Sequence, residues 1–315
     1  MLKPVKKFLK KIPGVMALKY LRDDYIYRKH MNCNYDQIES FTDKVYFKMF
    51  NRHVNWDDPK SYNEKIQVSK IYNPTELKTR LADKYLVREW VKNKIGERYL
   101  IPLYGVYDSF DEIDFKNLPD QFVIKCNHDS GSVILCPDKN KFNINSARKK
   151  INHALKNNFA WLWFEMHYKN IPPKIIIEKY MGDNINDYKF LCFDGKPYSC
   201  RIDIDRFNKN HSRSVYNMDW KLLPWMKGNY KTSECPKPEN FDELKNLVVE
   251  LCKDIDQIRV DVYVIDKKIY FGEMTFTNGS GLEEFYPDEW DFKIGELWKF
   301  DNTIRQKVRE KNLKP

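Results

Sequence analysis

The chain has 315 residues, 42% of them hydrophobic and 15% aromatic, enough to bury a substantial core, which excludes an intrinsically disordered polymer. No run approaches the roughly 18 apolar residues of a membrane-spanning helix, and the amino terminus lacks the compact apolar stretch of a secretory signal. Seven scattered cysteines without a C-x-x-C pair argue against a zinc site or disulfide framework and for reduced thiols in a cytoplasmic protein, while a net charge of +10 is concentrated at one end.

Residues 1–30 hold Lys3, Lys6, Lys7, Lys10, Lys11, Lys19, Arg22, Arg28 and Lys29 against Asp23 and Asp24, or +7 of the total. Leu2, Val5, Phe8, Leu9, Ile12, Val15 and Met16 lie between them, a pattern suited to the anionic inner face of a membrane. A solvated, partly packed basic helix is the plainer explanation. No basic stripe or nucleic-acid motif follows, so nucleic acid is not an expected partner.

The first 75 residues read as mainly helical, with breaks at Pro13-Gly14 and Asp58-Pro59. Glu76 through Ile95 then reads as one helix stopped by Gly96. The apolar runs 99-YLIPLYGVY-107 and 122-FVIKC-126 predict strands, and 146–166 a helix capped by Ser146. Strands are expected at 175-IIIEKYM-181, 188-YKFLCF-193 and 197-PYSCRIDI-204, the last two joined through Asp194-Gly195. A helix over 241–256 precedes the hairpin 259-RVDVYVID-266 and 268-KIYFGEMTF-276. Helices mixed with antiparallel hairpins indicate α+β lobes rather than one doubly wound parallel sheet.

Three segments carry chemistry. Strand 122–126 ends in Lys125 and feeds 127-NHDSGS-132, where Asp129, Ser130, Gly131 and Ser132 form a small polar loop. Backbone N–H groups there suit phosphate oxygens, although an ordinary turn has the same composition. Asp261 and Glu273 lie on neighbouring strands of the last hairpin, with Arg259 on the same face as Asp261. Two carboxylates and phosphate oxygens suit Mg²⁺; a solvated sheet face with a salt bridge is the bland alternative. The segment 178-EKYMGDNINDYKF-190 leaves a buried strand and offers Glu178, the backbone of Lys179, Tyr180 and Met181, and then Asp187. That arrangement suits an adenine edge and a ribose.

In order, 82-ADKYLVREW-90, 122-FVIKCNHDSGSV-133, 176-IIEKYMGDNINDYKF-190 and 259-RVDVYVIDKKIYFGEMTFTNGSG-281 resemble the ATP-grasp superfamily. Together with 60-KSYNEKIQ-67 and 99-YLIPLYGVY-107, residues 45–300 resemble its TupA-like branch, associated with teichuronopeptide and capsular polysaccharide synthesis. The resemblance implies two α+β lobes with nucleotide between them, after a helical amino-terminal segment. Its expected boundaries are 1–75, 76–182 and 183–315. It also implies a carboxylate–amine ligase that uses ATP and Mg²⁺ and passes through an acylphosphate, with small or sugar-linked acid and amine substrates.

By the same resemblance Lys84 and Lys125 hold phosphates, 127–132 closes over them, and Glu178 to Met181 meet adenine. Asp187 meets the ribose, with Lys189 competing for phosphate or ribose, and Arg259 stabilises the transferred phosphoryl group. Asp261 and Glu273 bind the metal. The family's Glu-x-Asn pair reads Glu273-Met274-Thr275 here, so either Thr275 or Asn278 completes the metal site. Arg201, Arg206, His211 and Arg213 are candidates for an anionic substrate, as are Ser280 and Gly281 at the acceptor side. Two rivals remain: a glycosyltransferase using Asp203 and Asp205 as a D-x-D motif, and a non-catalytic module of an assembly complex.

Overall fold

The computed structural model describes residues 13–182, 185–204, 212–228, 230–311 and 314–315. The basic residues Lys3 to Lys11 and the candidates Asp205, Arg206 and His211 fall outside them. The described residues start with three helices, α1 (Pro13–Met31), α2 (Tyr35–Phe50) and α3 (Tyr62–Tyr72). Capping boxes open α2 and α3: Asn34 with Gln37, and Ser61 with Glu64, each satisfy backbone N–H groups at the helix start. Every residue of α3 is buried, polar ones included.

Residues 76–95 are two helices, α4 (Glu76–Ala82) and α5 (Val87–Lys94), not one. Asp83 causes the break. Its Oδ1 accepts from the backbone of Tyr85 at 2.7 Å and Leu86 at 3.2 Å, and its Oδ2 from Asn127 Nδ2 at 3.0 Å. Competition of a short carboxylate with the helix ladder, fixed by a tertiary partner, outweighs helix propensity here.

A four-stranded antiparallel sheet follows, in the order β1 (Leu103–Tyr107), β4 (Ile175–Lys179), β2 (Phe122–Cys126), β3 (Ile134–Cys136). Phe122, Ile124, Cys126, Ile175 and Ile177 pack with Ala147 and Ile151 of α6 (Ile144–Lys156). That helix starts two residues before the expected Ser146, because Asn143 caps the Ser146 N–H at 2.9 Å, and it stops at Lys156. A short α7 (Ala160–Trp163) and one 3-10 turn occupy the rest of the span expected to be helical.

The second sheet is antiparallel throughout, in the order β10 (Lys268–Thr275), β9 (Gln257–Ile265), β5 (Asn186–Phe193), β6 (Lys196–Ile204), β7 (Ser212–Tyr216). Asp194 and Gly195 turn β5 into β6 with φ of 48° and 71°, the left-handed pair that a tight hairpin needs. On one face Phe190, Cys192, Cys200, Val260 and Val262 pack against Leu244, Val248 and Leu251 of α8 (Phe241–Cys252). On the other, Leu191, Phe193 and Val215 meet Tyr62 and Ile66 of α3 and Ile294 of α9 (Glu289–Leu297). The ribbon β8 (Met226–Lys227) with β11 (Phe285–Tyr286) borders that second cluster, and α10 (Ile304–Glu310) closes the chain. All seven cysteines are free, and no described helix is long and apolar enough to cross a membrane.

Candidate active site

Strand register assembles the charged residues. Glu273 on β10 pairs with Asp261 on β9, Asp261 with Lys189 on β5, and Lys189 with Arg201 on β6. The neighbouring row runs Tyr263, Asp187, Asp203, Arg213 from β9 to β7. Because alternate residues share a face, the rows lie side by side and carry eight ionisable side chains. Arg259, two residues before Asp261, ends the same face.

Burial sets the energetics. Asp261 is 1% exposed, Lys189 5% and Asp187 6%, so these charges need partners. Lys189 Nζ donates to Asp261 Oδ2 at 2.6 Å and also to Asp187 Oδ2. Arg259 grips Asp261 through Nε at 2.6 Å and Nη2 at 2.7 Å, and its Nη2 also donates to Glu273. Burial pushes Asp261 upward, yet Arg259 and Lys189 reverse it and hold the carboxyl at about 2. Asp187 moves the other way, raised by burial and by the Asp261 charge against the opposing pull of Lys189.

The first sheet and the α4–α5 break supply the opposing wall. Lys125 Nζ meets Glu178 Oε2 at 2.6 Å, and Arg88 Nη1 meets Glu178 Oε1 at 3.3 Å. Lys84, in the break made by Asp83, donates its backbone N–H to Asn127 O at 3.2 Å and its ammonium to Asp129 O. Burial lowers the Lys84 pKa, while the charges of Asp129 and Glu273 oppose that shift. Lys84 thus feels carboxylates of both sheets. Lys84, Arg88, Lys125, Glu178, Tyr263 and Phe271 line a small, partly enclosed cavity of about 30 Å³ between them.

In the loop 127–132, Ser132 Oγ donates to Asp129 Oδ1 at 2.6 Å and accepts the Cys126 N–H at 2.8 Å, which fixes the turn. Ser130 and Gly131 are exposed at its tip, and Gly131 has φ +122°, a conformation that L side chains rarely adopt. Lys179 and Tyr180 instead border an open surface depression with Tyr104 and Gln121, and the Lys179 N–H is taken by Pro102 O at 2.9 Å. Met181 follows them, half-buried, with no regular structure.

Asn278 Oδ1 accepts from Arg259 Nη1 at 2.7 Å, whereas Thr275 Oγ1 donates to Glu273 Oε1 at 3.0 Å. Both therefore adjoin the carboxylate pair. Among the described residues no three His, Cys, Asp or Glu side chains form a ready metal cage. Asp261 and Glu273, with side-chain oxygens of Thr275 and Asn278 beside them, fit the few hard oxygen ligands that Mg²⁺ takes from protein when phosphates and water supply the others. Helix α3 holds the adjoining loop: Gln67 Nε2 donates to Ser280 O at 3.0 Å and Gly281 O at 2.7 Å, and Lys70 Nζ to Ser280 O at 3.1 Å.

Arg213 Nε donates to Asp203 at 2.8 Å, and Arg201 Nε lies 3.6 Å from the same carboxylate. Asp203 is thereby committed to guanidinium groups, and its D-x-D partner is outside the described residues. Sequence reasoning missed Arg88, Tyr263, Lys227 and the α3 polar residues. Tyr263 was accessible by the period of two from Asp261; Arg88 lies four residues after Lys84 in the same quoted segment. Lys227 gave no signal.

A family model described as TupA-like ATP-grasp matches residues 64–299. No curated protein matches the sequence. Among solved structures, the chain is similar to the D-alanine–D-alanine ligase of Helicobacter pylori at 14% identity and TM-score 0.35, over 78% of this chain and 61% of that one. It is also similar to the ATP complex of the Bacillus anthracis D-alanine–D-alanine ligase, at 16% identity and TM-score 0.39, over 74% and 67%. The phosphoribosylamine–glycine ligase of Thermotoga maritima gives 13% and 0.40, over 67% and 52%. The chain thus spans about half to two thirds of the length of these structures.

Proposed function

Because the chain belongs to the TupA-like ATP-grasp family, we propose that it is an ATP-dependent carboxylate–amine ligase that builds a cell-surface polysaccharide or teichuronopeptide-like polymer. The observation that carries this reading is the charged sheet face around Arg259, Asp261 and Glu273, set opposite Lys84 and Lys125 with buried walls between.

In this reading the ATP phosphates lie along Lys84, Lys125 and the 129–132 loop, with adenine toward Glu178–Met181 and the ribose near Asp187. A carboxylate oxygen of the acid substrate attacks the γ-phosphorus, the bond to the β-phosphate oxygen breaks, and ADP leaves as an acylphosphate forms. The amine then attacks the acyl carbon, phosphate departs with its bonding pair, and the amine proton passes to phosphate or solvent. Phosphoryl transfer asks mainly for positioning and charge stabilisation. Arg259 supplies the latter, because Asp261, Glu273 and Asn278 hold its guanidinium in place. Lys189 keeps Asp187 and Asp261 together despite their repulsion. Mg²⁺ bound at Asp261 and Glu273 would neutralise phosphate charge. The acylphosphate hydrolyses readily, so burial of this face also protects the intermediate.

Calorimetry with Mg-ATP on wild type, Lys125→Ala and Glu273→Ala tests the reading. Mg-dependent ATP binding that both substitutions weaken, followed by ADP release with an amino acid or uronic acid, is the expected result. Binding of UDP-sugars without ATP would refute it.

The basic amino terminus gives a second, smaller proposal, peripheral contact with anionic lipid. Leu18, Leu21 and Tyr25 on α1 are each about two-thirds exposed and lie on one side of the helix at i, i+3, i+7, among Lys19, Arg22, Arg28 and Lys29.

A further inference from the structure

Beyond the phosphate-facing residues, the structure buries a cation that finds no hydrogen-bond partner among the described residues. This is Lys227, which is 2% exposed. Its Nζ lies 4.6 Å from the ring centroids of both Tyr62 and Phe285. Two aromatic faces attract a desolvated cation but do not replace its lost water hydrogen bonds. Next to it Arg201 is largely buried, with an unpartnered Nε, and among the described residues its ion-pair contacts are the edges of Asp203 at 3.6 Å and Glu283 at 3.8 Å. Arg213 is already spent on Asp203 at 2.8 Å and on the Lys227 carbonyl. Lys227, Arg201 and Arg213 face Asp203, Glu283 and Asp291, yet Lys227 Nζ and Arg201 Nε reach no hydrogen-bond partner among the described residues.

Tyr62 lies against Asn278, which binds Arg259, so Lys227 adjoins the reaction face. Arg201 is on β6 and Glu273 on β10, three strand spacings or roughly 14 Å apart across the sheet. We propose that Lys227 and Arg201 form a second anion-binding point that takes a carboxylate of the acid substrate other than the one being activated. The substrate class is then a diacid: an acidic amino acid, or a sugar bearing two carboxylates. This rests on the ligase reading for its biological sense, but its binding test does not need ATP.

The test is calorimetric titration of wild type, Lys227→Met and Arg201→Met with L-glutamate and with galactarate, first without nucleotide, together with separate ATP titrations. At least one diacid should bind wild type, each substitution should weaken it tenfold or more, and the ATP affinity should stay within threefold. Thermal melting checks that both variants are folded, and Arg201→Met stands in if Lys227→Met is not. Failure of both diacids to bind, or equal binding by the folded variants, overturns the proposal. A parallel loss of ATP affinity overturns it too, because the ammonium would then serve a phosphate. Absence of ATP binding in wild type with diacid binding intact would refute the ligase reading alone.

Discussion

Replacing Lys227 by methionine should stabilise the protein, whatever the lysine binds. Burial lowers its pKa from 10.5 to about 8, with Glu283 and Asp291 opposing and Arg201 and Arg259 adding to the shift. A displacement of about 2.5 units corresponds to roughly 3 kcal/mol against the charged form in the folded state. Loss of the two ring contacts takes back about 1–2 kcal/mol, so a net gain of about 1–2 kcal/mol is expected at pH 7. The sign with pH is fixed. Between pH 8 and 10.5 the unfolded lysine keeps its proton while the folded one loses it, so wild-type stability rises across that window and the penalty fades. Lys70 and Lys78, also lowered to about 8 by burial, titrate there in both proteins and cancel in the difference. Urea denaturation at pH 7 and pH 10 measures this directly. The advantage of Lys227→Met should be clear at pH 7 and mostly gone at pH 10. A variant less stable than wild type at pH 7, or a difference that ignores pH, would show that the ammonium is well solvated or paired, and the case for an anion-binding point would lose its main support.

Other outcomes follow from the contacts. Gln67→Ala removes donors to the Ser280 and Gly281 carbonyls and should cost about 1–3 kcal/mol in denaturant unfolding, with a weaker ADP-release rate as the loop loosens. Gly281→Ala should be worse than a surface glycine change, because φ is +67° and a Cβ would sit 2.4 Å from Gln67 Nε2; thermal melting should drop by several degrees. Asp83→Ala frees the Tyr85 and Leu86 N–H groups and Asn127, so ATP affinity should fall through misplacement of Lys84 with the lysine itself intact; calorimetry reads this. Full-length protein should co-sediment with phosphatidylglycerol vesicles but not phosphatidylcholine vesicles, and changing Leu18, Leu21 and Tyr25 to serine should abolish this.

Most strands were legible because their signals are local, although β3, β7, β8 and β11 were not expected from the sequence. Alternation along 259-RVDVYVID-266 separates Arg259, Asp261 and Tyr263 from Val260 and Val262 without any knowledge of partners, and Asp194-Gly195 marks its own turn. What failed depended on contacts across the chain. Nothing in Glu76–Ile95 announces a broken helix, since the break needs Asn127, 44 residues away, to hold Asp83. In the same way 62-YNEKIQVSKIY-72 has the composition of a solvated helix, yet Lys65 donates to Gly295 O at 2.7 Å and Trp298 O at 2.8 Å, and Asn63 to Glu283 O at 3.1 Å. Its polar residues satisfy carbonyls of α9 and its flanking segments more than 200 residues on, where no periodicity can point.

Burial also decides between the two explanations of the charged sheet face. A solvated face would carry exposed side chains, and its salt bridges would be worth little. Here Asp261, Lys189, Asp187, Asp203 and Arg213 are each less than 10% exposed, and α3 with the β8–β11 ribbon borders the sheet face beside them. Replacing such a network with packed apolar residues of similar volume is commonly neutral or stabilising. The fold therefore gives no stability reason for five strands to present acids and bases in register. A ligand with charges of both kinds does give one: phosphate oxygens and metal at the Glu273–Asp261 end, and a carboxylate at the Arg201–Lys227 end. The unpartnered Lys227 ammonium is the part of that pattern that internal pairing leaves unexplained, which is why its substitution separates a structural network from a binding one.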